Sequence, residues 1–459
     1  MTLRSNKTIA LAILLVAIPL WAQTVSTSTD DTILRQIIIF GRHNVRSTTV
    51  TASDFALMSV RPNPDFGVPP GYLTPHGRQA ELLLGGYYRD YLLHERLLTG
   101  QADFDATRAY FRSNSIQRSN ITAGALAEAL FPGVTVPVHS FALGQPDPVF
   151  DPIAAKLVTV DPVRAVHEVR AVFHSGTALT SAYSSDLALI RSLLFNYPNG
   201  TQPPPPAPSG LVDVTAQPIP LVANTTNLST GNVINGGGLL STLGASDPFV
   251  MEYADGLPLK DVAWGQLSMD TLSQQTRIVN LAFAVEARTP YLNRLQSSNA
   301  ASHILRTMEQ AVIGDTVPGA FGNGQSRVNV IISSDFYVIG MAEMLKMHWQ
   351  LPGYQPDFCP PGGALVFELR QSRTTGQYVV RAHFTAQTLD QLRNLTPLTL
   401  DQPPATTPLL IPGGRPVGES MDITFASFQK LLRATIDPNS VEDPAKEVAP
   451  SPLSGVPLK

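Results

Sequence analysis

Apolar runs and helical patterns occupy different parts of the chain. Continuous apolar runs at 37–40 (IIIF) and 328–333 (VNVIIS) predict strands buried on both faces, because such strands need no polar side. Two further apolar-rich runs, at 364–369 and 378–384, are separated by the turn-forming letters TTGQ and predict a strand pair. The predicted strands therefore lie toward the two ends of the chain.

The middle of the chain has a different pattern, typical of helices with a break before Pro290. We therefore predict an α/β core formed by residues 30–153 and 325–436, with a mainly α-helical domain inserted at 154–324. Residues 437–459 are rich in proline and charge. This composition predicts a loose C-terminal tail.

The first residues have the layout of an export signal. Two basic residues, Arg4 and Lys7, precede the apolar run 9–20, and a small residue, Ala22, follows it. This order predicts a cleavable signal peptide at 1–22. The alternative is a single membrane anchor, but the run is shorter than the roughly 20 residues that cross a bilayer. We therefore expect a periplasmic or secreted protein with no membrane attachment after cleavage.

Charge and cysteine content exclude some classes of function. The chain carries a formal net charge of −4, and it has no basic run of the kind that nucleic-acid binding requires. We therefore expect no nucleic-acid partner. The one cysteine, Cys359, rules out an intramolecular disulfide, so an exported chain of this length depends on its hydrophobic core.

The letters GRHNVRS follow the first predicted strand and bring two arginines close to a histidine. Open α/β folds place ligands at the carboxyl ends of strands, and guanidinium groups match phosphate oxygens. Arg42 and Arg46 would disfavour a protonated imidazole, which leaves His43 neutral and able to attack phosphorus. The plain alternative is that both arginines pair with carboxylates and that His43 is an ordinary loop histidine. The spacing alone does not separate the two interpretations.

This stretch is similar to the first motif of the histidine acid phosphatases, the family of bacterial phytases and glucose-1-phosphatases. The family's hallmark is a strand followed by R-H-G-x-R-x-P, and the chain has RHNVRST at 42–48. The resemblance continues in the family's order along nearly the whole chain that follows the predicted signal peptide. Matching segments are LTPHG at 73–77, QRSNITAGALAEALFPG at 117–133, DPVFDP at 147–152 and LPGYQPDFCPPGGALVFEL at 351–369.

The resemblance implies a fold and a chemistry. The fold would be α/β, with a central mixed sheet flanked by helices and an inserted, mainly α-helical domain. His43 would be the nucleophile that becomes phosphorylated and is then released by water. Arg42, Arg46 and Arg118 would hold the phosphate.

Two positions depart from the family's pattern. The late H-D motif maps to Ser334-Asp335, so Asp335 would be the general acid, and Ser334 would bind a phosphate oxygen without a charge. Asn44 replaces the glycine of the first motif; asparagine tolerates left-handed backbone, so the turn would survive. These departures imply a retained mechanism with weaker phosphate binding, or lost catalysis with the phosphate pocket kept.

We interpret the chain as an acid phosphatase that hydrolyses phosphomonoesters, either phytate or sugar phosphates, through a phosphohistidine and without a metal or other cofactor. Activity should be favoured at acidic pH, because Asp335 must carry a proton to donate it. A binding module without turnover and a phosphotransferase that uses an acceptor alcohol are the alternatives. The sequence indicates no oligomeric state.

Overall fold

A mixed β-sheet lies at the centre of the computed structural model. The structure describes residues 30–226, 231–418, 420–442, 448–451 and 453, so the predicted signal peptide lies outside the described residues. The strands are β1 (Thr32–Arg42), β2 (Ala109–Ser113), β3 (Val138–His139), β4 (Val222–Ala223), β5 (Ile234–Asn235), β6 (Val328–Ser333), β7 (Ala364–Ser372), β8 (Tyr378–Ala386), β9 (Ala405–Pro408) and β10 (Ile423–Thr424).

The central sheet joins strands from both ends of the chain. In the described residues its order is β10-β8-β7-β1-β6-β2-β3, with β9 paired to β8. The pairs β1–β6, β6–β2 and β2–β3 are parallel, whereas β1–β7 and β7–β8 are antiparallel. The predicted mixed sheet, flanked by helices, is therefore confirmed.

Helices cover both faces of this sheet. They are α1 (Ala52–Phe55), α2 (Pro75–His94), α3 (Ala102–Ala106), α4 (Gln117–Leu130), α5 (Pro162–Phe173), α6 (Gly176–Ala182), α7 (Ser184–Phe195), α8 (Gly238–Ala254), α9 (Met269–Ala287), α10 (Pro290–Ile313), α11 (Asp335–Met344), α12 (Leu389–Arg393) and α13 (Phe425–Thr435). The predicted break before Pro290 separates α9 from α10, as expected of a proline at the first helical position.

The IIIF run of β1 is apolar throughout because each face of the strand packs into a different core. Ile37 and Ile39 belong to a cluster with residues of α2 and α4, whereas Ile38 and Phe40 belong to a cluster with residues of α8 to α11. Successive side chains of a strand point to opposite faces. The sheet therefore lies between two layers of helices, which explains why the IIIF run has no polar side.

The predicted insertion at 154–324 is mainly helical in the described residues. It contains α5 to α10 and one small two-stranded sheet, β4 with β5. Its standing as a domain of its own stays a prediction.

The segment predicted as a loose tail is attached to the sheet edge where it is described. The Ser140 N–H donates to the Ala449 carbonyl at 3.2 Å, and the Ser451 N–H donates to the Val138 carbonyl at 2.7 Å. Backbone hydrogen bonds to an edge strand hold proline-rich chain that has few apolar anchors of its own. The described part of this segment is therefore held at the edge of the sheet, and the looseness of the tail as a whole stays a prediction.

No helix in the described part of the chain is long and apolar enough to span a bilayer.

Candidate active site

The carboxyl ends of three parallel strands place the candidate residues at one edge of the sheet. Arg42, the last residue of β1, is in register with Ser333, the last residue of β6. β2 lies on the other side of β6 and leads into α4, which carries Arg118 near its first turn. Parallel strands end at a common edge, so segments far apart in sequence meet there.

His43 is buried in the turn after β1 and has a defined tautomer. Its backbone N–H donates to the Ser333 carbonyl at 2.8 Å. Its ring Nδ1 lies 2.8 Å from the Asn44 carbonyl, which can only accept a hydrogen bond. Nδ1 therefore carries the proton, and Nε2 keeps its lone pair. Burial, followed by the charges of Arg118, Arg42 and Arg46, holds the pKa of His43 well below its usual range.

Three arginines surround this neutral imidazole. The charges of Arg118, Arg42 and Arg46 each lower the pKa of His43. Burial and the charge of Arg46 lower the pKa of Arg118 to about 10. The Nε atoms of the three arginines are buried and have no hydrogen-bond partner among the described residues. Buried donors of this kind form an anion site, since an unpaired buried N–H is costly.

Asp335 faces the same space from the first turn of α11. Its Oδ2 lies 3.0 Å from an Arg42 guanidinium nitrogen, and its Oδ1 accepts the Phe336 N–H at 3.0 Å. Ser334 precedes it at the N-terminal cap position, is half-buried, and makes no side-chain hydrogen bond that caps α11. The structure thus brings Arg42, His43, Arg46, Arg118 and Asp335 together, with Ser334 adjacent.

A second carboxylate, Asp247, was missed by sequence reasoning. Its Oδ2 accepts from Arg46 at 2.7 Å, and its Oδ1 lies 3.9 Å from Arg42. Burial opposes ionisation, but Arg46, Arg42 and Arg118 outweigh it and lower the pKa of Asp247. Asp247 is the lone charged residue among 238–251, and a charge in a long apolar helix is the signal that could have indicated a buried partner.

Asp335 and Asp247 also test the alternative interpretation, in which the arginines only form ion pairs and His43 is an ordinary loop histidine. Arg42 and Arg46 do pair with carboxylates, as that alternative expected. The pairing leaves guanidinium nitrogens unsatisfied, however, and it occurs beside an uncharged histidine. Ion pairing therefore neutralises part of the charge of the arginines without occupying all of their donors.

The loop that contains Cys359 and Gly363 also binds Arg42. Its guanidinium donates to the Cys359 carbonyl at 2.5 Å, and its backbone N–H donates to the Gly363 carbonyl at 2.8 Å. The Cys359 side chain is buried, and burial raises the pKa of its thiol. This loop therefore positions the arginine through its backbone.

Asn44 survives at the glycine position for a different reason from the one expected. It is not among the described residues with positive φ, so the expectation of left-handed backbone is wrong. Its side chain instead has a buried partner, because Nδ2 donates to Glu81 Oε2 at 2.8 Å. The asparagine is accommodated by a hydrogen bond to α2.

The described residues contain no group of three or more His, Cys, Asp or Glu side chains that could hold a metal ion.

Comparison with known proteins gives relatives along most of the chain. Phytase AppA of Escherichia coli (strain K12) is 25% identical over 441 residues, which cover 93% of this chain and 98% of that protein. Glucose-1-phosphatase of Providencia rettgeri is 25% identical over 89% of this chain and 94% of that protein. The solved structure of Hafnia alvei phytase in complex with tartrate superposes with a TM-score of 0.78 at 27% identity, covering 90% of this chain and 99% of that one. No protein-family model matches.

Proposed function

The chain belongs to the histidine acid phosphatase family, and from this premise we propose that it hydrolyses phosphomonoesters through a phosphohistidine on His43. The observation that carries the mechanism is a buried, neutral imidazole with its Nε2 lone pair free, surrounded by three arginines with unpaired donors. Relatives named phytase and glucose-1-phosphatase support phytate or a sugar phosphate as the substrate.

The first half of the reaction forms the phosphoenzyme. His43 Nε2 attacks phosphorus, an Nε2–P bond forms, and the P–O bond to the alcohol breaks. Asp335, acting as general acid, gives a proton to the departing oxygen. Arg42, Arg46 and Arg118 balance the charge on the phosphoryl oxygens throughout the transfer.

The second half returns the enzyme to its starting state. Water attacks the phosphorus of the phosphohistidine while Asp335, now ionised, accepts a proton from that water. The Nε2–P bond breaks, and inorganic phosphate leaves. The Nδ1–H bond to the Asn44 carbonyl keeps the ring oriented in both halves, and it also stabilises the positive charge that the phosphorylated ring carries.

Export through the signal pattern at 1–22 is part of the proposal, and it would place the enzyme in the periplasm or outside the cell.

A trapping experiment tests the proposed intermediate. The protein is mixed with ³²P-labelled p-nitrophenyl phosphate and quenched within milliseconds in alkaline denaturant, because a P–N bond is labile in acid. We expect acid-labile label on the peptide that contains His43 and none in His43→Ala. Turnover without protein-bound label in the wild type would mean direct attack by water, and label on another residue would identify a different nucleophile.

Ser334 favours one second candidate, a protein that binds phosphate esters with little or no turnover. A serine supplies a neutral donor where the family has an imidazole, and a charged hydrogen bond is worth about twice a neutral one. If the serine limits catalysis, Ser334→His should raise kcat/KM for p-nitrophenyl phosphate by roughly tenfold or more.

Two matched variants separate charge from shape at this position. Ser334→Asn supplies a neutral donor on a larger side chain, and Ser334→Ala removes the donor. We expect both to remain well below Ser334→His at acidic pH, where the imidazole is charged. An unchanged rate in Ser334→His would show that serine does not limit this enzyme.

A further inference from the structure

A continuous chain of hydrogen bonds runs from helix α2 to the proposed nucleophile. Glu81 Oε2 accepts from Asn44 Nδ2 at 2.8 Å, and Asn44 Oδ1 accepts from the Val45 N–H at 2.8 Å. The Asn44 carbonyl accepts from His43 Nδ1 at 2.8 Å. The Val45 N–H can only donate, so the amide oxygen of Asn44 must face it and the amide nitrogen must face Glu81.

The middle of this series of hydrogen bonds is one rigid peptide group. The Asn44 carbonyl and the Val45 N–H belong to the same peptide group, which is planar. The asparagine side chain holds the N–H side of that plane, and His43 binds its carbonyl side. The preceding peptide is held as well, because the Asn44 N–H donates to Thr122 Oγ1 at 3.1 Å. The orientation of the peptide therefore decides where the imidazole proton can be held.

Helix α2 packs directly on this peptide. Gly77 lies one helical turn before Glu81, so both are on the same face of α2. A Cβ on Gly77 would come within 2.9 Å of the Val45 nitrogen, which belongs to this peptide, and within 2.2 Å of the Val45 carbonyl oxygen of the next peptide. The Thr74 N–H donates to that oxygen at 3.1 Å. The close approach fixes the distance between α2, which carries Glu81, and the turn that carries Asn44.

Glu81, the acceptor at the end of this series of hydrogen bonds, is buried. Glu81 is 2% exposed, and Asn44 is fully buried. Burial raises the pKa of Glu81 to about 8, with the hydrogen bond from Asn44 opposing the rise. Over the acidic range its carboxyl group is therefore uncharged. It acts on Asn44 through a hydrogen bond and adds no negative charge that would favour protonation of His43.

We propose that Glu81 and Asn44 form a positioning pair that keeps His43 in the tautomer protonated on Nδ1. Glu81 holds the side-chain amide of Asn44, the amide holds peptide 44–45, and the peptide carbonyl holds the Nδ1 proton. The proton therefore stays off Nε2, the atom that attacks phosphorus. Neither residue touches the ester. The inference rests on the proposed function, since it assigns Nε2 as the nucleophilic atom.

Removal of the acceptor should lower kcat and leave KM nearly unchanged. In Glu81→Leu the Asn44 amide loses its buried partner and can reorient, while the three arginines that bind the ester are untouched. We expect kcat for p-nitrophenyl phosphate to fall about tenfold. Glu81→Gln keeps an acceptor and matches the uncharged carboxyl group, so it should restore the wild-type kcat.

The tautomer itself gives a readout that does not depend on turnover. With ¹⁵N-histidine labelling, the ring signals of His43 are assigned by their loss in His43→Ala. We expect the wild type and Glu81→Gln to show protonation on Nδ1, and Glu81→Leu to show a fraction protonated on Nε2. If the enzyme forms no phosphohistidine but the tautomer shifts as described, the proposed function fails and the positioning pair stands.

Controls separate positioning from loss of stability. Glu286 is also a buried carboxyl, accepting from the Ile234 N–H at 2.7 Å, so Glu286→Leu should lower the melting temperature without changing the His43 tautomer. Asn44→Ala removes the relay from the other end, and Glu81→Leu should add little in that background. Independent, additive effects would overturn the proposal, as would an unchanged tautomer and kcat in both single variants.

Discussion

Replacement of His43 by alanine is expected to abolish turnover while phosphate still binds. Alanine cannot accept the phosphoryl group, and removal of a catalytic nucleophile costs roughly 10⁴-fold or more in kcat/KM. Arg42, Arg46 and Arg118 remain, and their unpaired donors are the groups that would bind the anion. The measurements are steady-state hydrolysis of p-nitrophenyl phosphate and calorimetric titration with inorganic phosphate.

A matched histidine variant shows whether the loss is specific. His94 lies at the end of α2 with an exposed side chain, and His94→Ala should keep both activity and phosphate binding. If His43→Ala hydrolyses the ester within about tenfold of the wild type, His43 is not the nucleophile. If the wild type binds phosphate but has no activity for His43→Ala to lose, the binding-module interpretation is correct.

The central strands could be predicted because short, continuous apolar runs indicate burial on both faces. The runs at 37–40 and 328–333 became β1 and β6, which are neighbours in the sheet. Their apolar composition follows from helices on both faces, so local sequence and global position agree. The contact of the segment after 437 with β3 could not be predicted, because it uses backbone hydrogen bonds, which composition does not reveal.

The candidate site could be predicted only in part. Some of its residues are placed by the local sequence, whereas others are placed by contacts between distant segments. Arg42 and His43 follow a strand directly, so their placement is local. Asp247 reaches Arg46 across 201 positions, and its role depends on how α8 packs. The link between Glu81 and Asn44 depends on the approach of α2 to the turn. A charge in an apolar helix indicates that Asp247 has a buried partner, but no local pattern identifies Arg46 as that partner or links Glu81 to Asn44.

Two of the arginines that would bind the substrate form ion pairs with carboxylates. Asp335 pairs with Arg42, and Asp247 pairs with Arg46, so part of the cationic charge is already neutralised. A phosphate ester that binds the same guanidinium groups competes with the carboxylates for them. Substrate binding would thus weaken the pairing of both carboxylates with their arginines.

Replacement of Asp335 by asparagine should slow the enzyme by an amount that depends on the leaving group. An alkyl ester such as glycerol 2-phosphate releases a strongly basic oxygen, and general acid catalysis typically contributes about 10²- to 10⁴-fold. We expect kcat to fall by about that factor for the alkyl ester. p-Nitrophenolate leaves without a proton, so its ester should lose much less. The amide also frees Arg42 from its ion pair, and KM should fall for both esters.

The control is the other carboxylate that contacts the arginines. Asp247→Asn also removes a negative charge, but this residue is not the proposed acid, so both esters should change by a similar factor. The pH profile adds a second criterion, since any alkaline fall in the wild-type rate on the alkyl ester should be absent from Asp335→Asn. Equal losses on both esters in Asp335→Asn, with the alkaline fall retained, would mean that another group donates the proton.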